Sequence, residues 1–382
     1  MSTLRPFTVA WDDAAVGALL DQVRAARPPD VPAEVGWSAG CDRDFLVRLR
    51  EHWLDGYDWR AAAAELNRYP QFLVDVDGLD VHVVHVRGEG PGRPLLVTHG
   101  WPGSYYEFWE VVERLTYPSR FGGDARDAVD LVLPSLPGFA FSGKRHPPPT
   151  QRQTARIWRT LMTEHLGYDR FLAQGGDWGA IVTSWLGFDH PDAVAGIHLN
   201  MLAFRSALPP RDDEERAWAA AAARAQQRLG AYSTLQTTKP QSLVWVSAGN
   251  PLGQAAWIVE RFHDWADLRA RPFEEVFSLD QLLTNVMLYV MTDSFASAAW
   301  FYPGVTQDPL VLPEGVRCEV PTAYADFPGD SLLPSPPRQR VELTYALSRW
   351  TSFEHGGHFA AMEAPVAFAD DVLAWAREAW PG

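Results

Sequence analysis

The sequence predicts an α/β fold in which a mostly parallel sheet is flanked by helices and interrupted by an inserted helical cap. Three observations support this prediction. Short apolar runs such as RPLLVT, VDLVLP and RFLAQ alternate with helical patterns, as they do in βαβ units. Each run leads into a loop, and open parallel sheets keep their functional residues in such loops. Strand signals fade between residues 204 and 315 and return at residue 318.

The chain divides into four predicted segments. Residues 1–70 carry helical patterns with too few apolar positions for a separate core, and we interpret them as a lead-in that packs on other elements. Residues 71–203 form the first part of the core, opening with a hairpin whose Asp77-Gly78 pair is a strong turn signal. Residues 204–315 form the cap. Residues 316–382 return to strands and end in an amphipathic helix.

The core and the cap differ in their hydrophobic periodicity. After the hairpin, RPLLVT leads into HGWPG and a helical pattern, VDLVLP leads into a loop and a further helical pattern, and RFLAQ leads through QGGDWGA into a third. The cap instead has Ala-rich or apolar-periodic stretches at 211–229, 252–262 and 278–292. Spacing of this kind is typical of amphipathic helices.

Charge and cysteine content argue against several classes of protein. The net charge of −15 disfavours nucleic acid or an anionic membrane as a partner. Cys41 and Cys318 are the only cysteines, which rules out a disulfide framework. The N-terminus lacks the pattern of a secretory signal, and no apolar run is long enough to span a bilayer. We expect a soluble cytoplasmic protein with no nucleic-acid or membrane partner, either a monomer or a homodimer.

The stretch QGGDWGA (174–180) has the outline of a nucleophile elbow, G-x-Nuc-x-G, with Asp177 where serine is usual. A strand before it and a helix after it supply the context that this motif needs. Capping of the helix is the alternative role for Asp177. GWSAG (36–40) matches the serine form, but the Pro-rich segment before Ser38 is unsuited to the buried strand of an elbow. We therefore take Asp177 as the candidate nucleophile.

Two loops supply candidate partners for Asp177. HGWPG (99–103) follows a strand upstream of the elbow, where the backbone N–H of Trp101 would join that of Trp178 in an oxyanion hole. An ordinary turn is the alternative for this loop. HGGHF (355–359) follows the last strand signal, where a base is expected, and spacing does not choose between His355 and His358.

The residue that orients the base is expected on an earlier loop, in the order nucleophile, acid, histidine. Asp330, at the end of ADFPGD, fits this position. Asp326 and Glu354 are the competing carboxylates in the same region.

An aspartate nucleophile restricts the reaction. A carboxylate that attacks saturated carbon gives an ester, which water activated by a histidine can hydrolyse, whereas serine would give a stable ether. Epoxides and alkyl halides are the two substrate classes that follow. An epoxide oxygen leaves as an alkoxide and needs a proton donor, whereas a halide needs only weak N–H donors.

Five motifs, in order, resemble the microsomal-type epoxide hydrolases of the α/β-hydrolase fold over essentially the whole chain. They are YDWR (57–60), HGWPGS, LPSLPGFAFS, QGGDWGA and GGHFAAMEAP. The resemblance implies an α/β-hydrolase core, and it implies that residues 1–70 are the meander which wraps the core and cap. It selects His358 as the base and Asp330 as the acid, although many relatives carry Glu at that position.

The resemblance also implies two cap tyrosines that protonate the epoxide oxygen, a role suited to a phenol. GAYSTLQTTKP and AAWFYPG match their settings and give Tyr232 and Tyr302 these roles. Core packing is the alternative for each tyrosine.

We predict an epoxide hydrolase, without cofactor or metal, that converts an epoxide and water to a vicinal diol. The Trp and Phe content favours an aryl or bulky apolar epoxide. The resemblance implies that the enzyme acts in either detoxification or secondary metabolism, including antibiotic biosynthesis. One alternative is a haloalkane dehalogenase, which shares an aspartate elbow followed by Trp; the tyrosines weigh against it. The other is a non-catalytic ligand-binding homologue, which leaves the full set of site residues unexplained.

Overall fold

The computed structural model describes residues 4–27 and 29–380. The predicted segments 1–70 and 316–382 include residues 1–3, 28, 381 and 382, which lie outside the described residues. In chain order the strands are β1 (Arg5–Phe7), β2 (Gln71–Val76), β3 (Leu79–Val86), β4 (Arg93–Thr98), β5 (Val129–Pro134), β6 (Phe171–Gly175), β7 (Val194–Leu199), β8 (Arg205–Ser206), β9 (Val311–Leu312), β10 (Cys318–Asp326) and β11 (Tyr345–Ser352).

The α-helices, in chain order, are α1 (Asp13–Ala25), α2 (Arg43–Asp55), α3 (Trp59–Leu66), α4 (Val112–Thr116), α5 (Gln151–Thr160), α6 (Trp178–Asp189), α7 (Asp213–Leu229), α8 (Ala231–Thr238), α9 (Pro240–Ser247), α10 (Pro251–Trp265), α11 (Phe273–Val276), α12 (Leu279–Val290), α13 (Ser294–Phe301), α14 (Arg338–Val341), α15 (Ala360–Glu363) and α16 (Pro365–Ala379). The 3₁₀ helices are Ala33–Ala39, Tyr105–Val111, Pro118–Phe121, Ala125–Asp127 and Tyr302–Thr306, and a π-helix spans Leu161–His165.

Nine strands form one sheet in the order β1-β2-β3-β5-β4-β6-β7-β10-β11. The first three pairs are antiparallel, and the remaining five pairs are parallel. All residues of β5 and β6 are buried, as expected for parallel strands with both faces covered. Helix α6 packs against the central strands and α16 against β7 and β10. The predicted α/β fold with a mostly parallel sheet is confirmed.

The hairpin between β2 and β3 follows from its turn sequence. Asp77 and Gly78 both adopt positive φ, at 54° and 77°, and Val76 pairs directly with Leu79. A two-residue turn with positive φ at both positions matches the right-handed twist of the strands, and Asp-Gly favours it. The predicted hairpin is confirmed.

Helices α7 to α13 lie between β7 and β10. The chain leaves the sheet and returns to it through a short parallel ribbon, in which Arg205 of β8 pairs with Val311 of β9. In the N-terminal segment, α1 contacts α10 and α2 contacts α12. We call α7 to α13 the helical insertion. The exact bounds of the four segments stay predictions.

Two strands of the nine-stranded sheet were missed by the sequence analysis. β7 lies between β6 and β10 in the parallel part of the sheet. Its sequence VAGIHL contains Gly196, where a Cβ atom would come within 3.1 Å of the Ala379 Cβ, and His198, which is buried against Asp371 at 3.1 Å. β1 pairs with β2 at the sheet edge, although residues 1–70 were interpreted as helical. Long-range contacts, not local periodicity, specify both strands.

The carboxyl ends of parallel strands meet at one edge of a sheet, where open α/β folds bind their ligands. The loops after β4, β6, β10 and β11 carry HGWPG, Asp177, Asp330 and His358, respectively. The topology therefore brings four separated motifs to one place. Of the helices in the described ranges, none is both long enough and apolar enough to cross a bilayer.

Candidate active site

Asp177 occupies a sharp turn between β6 and α6, with φ 48° and ψ −126°. Such a conformation is rare for a residue with a side chain and needs support from its surroundings. A Cβ atom on Gly175 would lie 2.1 Å from the Gly179 carbonyl oxygen, and one on Gly179 would lie 1.9 Å from that of Thr98. Only glycine fits at either position. The Asp177 side chain makes no capping bond to α6, so the capping alternative is wrong.

The carboxylate of Asp177 lies against backbone N–H groups. The Trp101 N–H donates to Oδ1 at 2.8 Å, and a cis peptide joins Trp101 to Pro102. Trp178 is the first residue of α6, where helix geometry leaves N–H groups without an intrahelical acceptor. The positive end of the α6 dipole also favours an anion at this point. Both predicted oxyanion donors therefore adjoin the candidate nucleophile.

His358 lies between two carboxylates. Its Nδ1 is 2.9 Å from Oδ2 of Asp330, and its Nε2 is 3.5 Å from Oδ2 of Asp177. Oδ1 of Asp330 accepts the backbone N–H groups of Leu332 and Leu333, at 2.9 Å each, which fixes this carboxylate. The structure thus brings Asp177, His358 and Asp330 together in one line.

The competing residues lie elsewhere. His355 and Glu354 are exposed. Asp326 is hydrogen-bonded to Ser335 and Ser352. The choice that spacing left open is therefore made by contact with Asp330, through Nδ1 of His358.

The two carboxylates determine the charge of His358. Burial disfavours a charged imidazole, but the negative charges of Asp330 and Asp177 outweigh burial and raise the pKa of His358 well above its ordinary value. Below that pKa the ring is an imidazolium between two carboxylates. Loss of the charge on Asp177 would remove one of the two interactions that hold the proton.

Tyr232 of α8 and Tyr302, at the start of the 3₁₀ helix that follows α13, are buried beside the elbow. The ring of Trp101 stacks on that of Tyr232 at 5.2 Å, and the ring of Trp178 meets that of Tyr302 edge-on at 4.6 Å. Burial, reinforced by the charge of Asp177, raises the pKa of both phenols well above 10. Both hydroxyls therefore stay protonated and able to donate.

The helical insertion holds the loop that carries His358, and sequence reasoning missed this contact. The His358 N–H donates to the carbonyl of Trp265 at 3.2 Å, and the Gly356 N–H donates to Asp267 at 3.0 Å. The carboxylate of Glu363 accepts the Asp267 N–H at 2.7 Å. Burial raises the pKa of Glu363 to about 7. The position of the candidate base thus depends on the last residue of α10 and on Asp267, just beyond it.

Helix α12 holds the HGWPG loop, a second contact that was not predicted from the sequence. Nδ2 of Asn285 donates to the Pro102 carbonyl at 2.8 Å, and the Tyr289 hydroxyl donates to that of Gly103 at 2.7 Å. The Ser104 hydroxyl in turn donates to Oδ1 of Asn285 at 2.9 Å. The available signal was Asn285 itself, an amide inside the apolar stretch LLTNVMLYV.

This chain matches two family models and is similar in sequence to proteins named as epoxide hydrolases. Residues 4–108 match the family model for the epoxide hydrolase N terminus, and residues 93–238 match the one for the α/β hydrolase fold. The chain is 40% identical over 380 residues to a protein of Stigmatella aurantiaca (strain DW4/3-1) that is provisionally named an epoxide hydrolase, covering 97% of this chain and 84% of that one. It is 31% identical over 401 residues to epoxide hydrolase 1 of Sus scrofa, covering 97% and 88%.

Solved structures agree with these sequence matches. The fold is similar to that of the juvenile hormone epoxide hydrolase of the silkworm Bombyx mori, with a TM-score of 0.87 and 27% identity over 99% of this chain and 96% of that one. It is also similar to the epoxide hydrolase of Aspergillus niger, with a TM-score of 0.86 and 29% identity over 99% and 97%.

Proposed function

This chain belongs to the epoxide hydrolase family, whose members add water to an epoxide, and we propose that its reaction runs through a covalent ester on Asp177. The observation that carries the proposal is the line of contacts from Asp330 through His358 to the carboxylate of Asp177, at 2.9 Å and 3.5 Å. The vicinal diol is released when this ester is hydrolysed.

In the proposed first step, Oδ2 of Asp177 attacks an epoxide carbon while Oδ1 stays bonded to the Trp101 N–H. The carbon–oxygen bond of the ring breaks, and the departing oxygen takes a proton from Tyr232 or Tyr302. Support comes from the pKa values of both phenols, which lie well above 10, so that each carries its proton at neutral pH. Donation to a developing alkoxide avoids a poor leaving group.

In the proposed second step, His358 activates the water that attacks the ester. Esterification neutralises Asp177, so one of the two charges that raise the pKa of His358 disappears. The imidazolium then gives its proton to the tyrosinate that the first step leaves. The neutral ring then accepts a proton from water. The negative charge that develops on the ester oxygen is stabilised by the N–H groups of Trp101 and Trp178.

We further propose an aryl or bulky apolar epoxide as the substrate, with a role in either detoxification or secondary metabolism. The rings of Trp101, Trp178 and Trp265, which all contact Tyr232 or Tyr302, support an apolar substrate. A cytoplasmic location is supported by Cys41 and Cys318, which are both free thiols.

The covalent route is tested by a single turnover in heavy-oxygen water, with the enzyme in excess over styrene oxide. The new oxygen of the first diol is expected to come from Asp177, so the label should enter the carboxylate while the diol stays unlabelled. Mass spectrometry of the diol and of the peptide that carries Asp177 measures both. Label in the first diol would instead indicate direct attack by water. Further turnovers serve as the control, because the label must then reach the diol.

Replacing both tyrosines by phenylalanine tests the proton donors. Tyr232→Phe and Tyr302→Phe each keep the ring and remove the hydroxyl, so we expect each to slow formation of the ester by about 10- to 100-fold, and the double variant to slow it further. Rapid-quench measurement of ester formation is the readout. Tyr117→Phe is a control, since this ring lies against the guanidinium of Arg120 and does not line the cavity beside Asp177. Unchanged ester formation in the double variant would exclude both hydroxyls as donors.

The alternative enzymatic reaction, dehalogenation of alkyl halides, is not favoured by the family matches, and the same assays distinguish it. Diol formation from styrene oxide without halide release from a bromoalkane is the expected result. Comparing the two enantiomers of styrene oxide would also begin to describe the substrate pocket.

A further inference from the structure

A small cavity of about 20 Å³ adjoins the candidate nucleophile and base. Asp177, His358, Gly100, Glu107 and Asn200 are among the residues that line it. A water molecule needs at least about 10–15 Å³ of such volume and two to four polar partners. The cavity therefore has room for one water molecule, in a setting that is polar on several sides.

Two residues that line this cavity each have a polar atom without a hydrogen-bond partner among the described residues. These atoms are Oε1 of Glu107 and Nε2 of His358, and both are buried. At 3.5 Å, the distance from Nε2 to Oδ2 of Asp177 is longer than an ordinary hydrogen bond. Buried polar atoms are normally paired with protein or with ordered water. A water molecule in the cavity would pair both atoms.

The cavity also adjoins the side chain that hydrolysis must attack, since Asp177 and Gly100 both line it. A Cβ atom on Gly100 would lie 2.7 Å from Cγ of Asp177, so only glycine at this position lets the carboxyl group lie against the loop backbone. Oδ1 of Asp177 is held by the Trp101 N–H, where an oxyanion would be stabilised. A nucleophile in the cavity would thus attack Cγ next to the N–H group that takes up the charge.

We propose that Glu107 is a further catalytic residue, which accepts a hydrogen bond from the hydrolytic water while Nε2 of His358 takes the other hydrogen of that water as a proton. This inference rests on the proposed function, since it concerns hydrolysis of the Asp177 ester. The water oxygen bonds to Cγ and its proton passes to His358. The bond from Cγ to the substrate oxygen then breaks, and that oxygen receives the proton from His358. Glu107 itself neither gains nor loses a proton.

The charge state of Glu107 does not limit this role. Burial raises the pKa of Glu107 to about 8, although the positive charge of His358 opposes the rise. A protonated carboxyl retains a carbonyl oxygen that accepts hydrogen bonds, as a carboxylate does. The shape and acceptor oxygen of the side chain, more than its charge, therefore matter for orienting the water.

The test compares Glu107→Leu with Glu107→Gln, which keeps a carbonyl acceptor. After rapid mixing with styrene oxide, intact-protein mass spectrometry follows formation and decay of the ester. We expect Glu107→Leu to form the ester at the normal rate and to hydrolyse it about 10- to 100-fold more slowly, so that the ester accumulates. Glu107→Gln should hydrolyse it within about threefold of the normal rate. Glu110→Gln, in the same 3₁₀ helix but exposed and bonded to Gln281, is the matched control and should be unchanged.

The outcomes separate this inference from the proposed function. Normal ester decay in Glu107→Leu would overturn the role of Glu107, and so would an equal loss in the ester-forming step. The amplitude of ester formation counts the folded sites, so a misfolded fraction does not imitate slow decay. If no ester forms in any variant, His358→Gln included, the covalent route itself is wrong.

Discussion

Replacing Asp177 by Ala is expected to abolish diol formation, with a fall in kcat of about 10⁴-fold or more. Ala retains a compact side chain at the elbow and removes the carboxylate that attacks the substrate. The two neighbouring acids do not replace it, because Asp330 is occupied by His358 and two backbone N–H groups, and Glu107 lies across the cavity. Diol formation measured by chromatography, together with intact mass, tests both activity and ester formation.

Ser38→Ala is the matched control for this experiment, because GWSAG has the literal serine form of the elbow motif. The Ser38 hydroxyl donates to the Val35 carbonyl in a 3₁₀ helix, and no strand precedes this helix directly. We expect Ser38→Ala to keep the full rate. Substantial diol formation by a folded Asp177→Ala protein, judged by circular dichroism, would contradict the covalent mechanism and exclude Asp177 as the nucleophile.

Replacing His358 by Gln is expected to trap the enzyme as its ester. Asp177 and the tyrosines still open the epoxide, but no base activates water, so hydrolysis should fall by about 10²- to 10⁴-fold. One equivalent of substrate per site should become attached, and steady-state diol formation should nearly stop. Stopped-flow fluorescence of the surrounding tryptophans and intact mass measure the two steps separately.

His355→Gln is the control that the sequence itself offers, since HGGHF carries two histidines. His355 is exposed, whereas His358 is buried between two carboxylates. We expect His355→Gln to leave both steps within about twofold of the normal rate, as usual for an exposed substitution. Trapping of the ester by His355→Gln, with normal turnover of His358→Gln, would reverse the assignment of the base.

Local signals in the sequence were sufficient for most of the fold. The Asp77-Gly78 turn specifies its own conformation, and the continuous apolar runs of β4, β5 and β6 are buried on both faces. β7 was not predictable in this way, because Gly196 and His198 interrupt its apolar pattern. Their fit depends on α16 and on Asp371, far away in the sequence. Tertiary contacts explain what periodicity did not reveal.

The same distinction applies to the candidate site: local motifs revealed some of its residues, whereas the others depend on tertiary contacts. The motif loops were found because strand ends in a parallel sheet converge, which brings Asp177, Asp330 and His358 together. Asn285 and Glu107 were not found, since the sequence does not reveal that α12 contacts the HGWPG loop or that Glu107 lines the same cavity as Asp177. The contact with Asp330 likewise distinguishes His358 from His355, because the spacing from the last strand suits both histidines.

The hydrogen bonds between the His358 loop and the end of α10 bear on how the substrate range of this enzyme could be redesigned. Trp265 and Asp267 hold that loop through its backbone, and Glu363 holds Asp267. A mutant library confined to α7–α9 would change the helices around Tyr232 and leave these hydrogen bonds intact, provided that Tyr232 itself is kept. A chimera that carries the helical insertion of another hydrolase would have to keep residues 265–267. Without them the His358 loop would lose its support, and the chimera would lose activity as well as its original specificity.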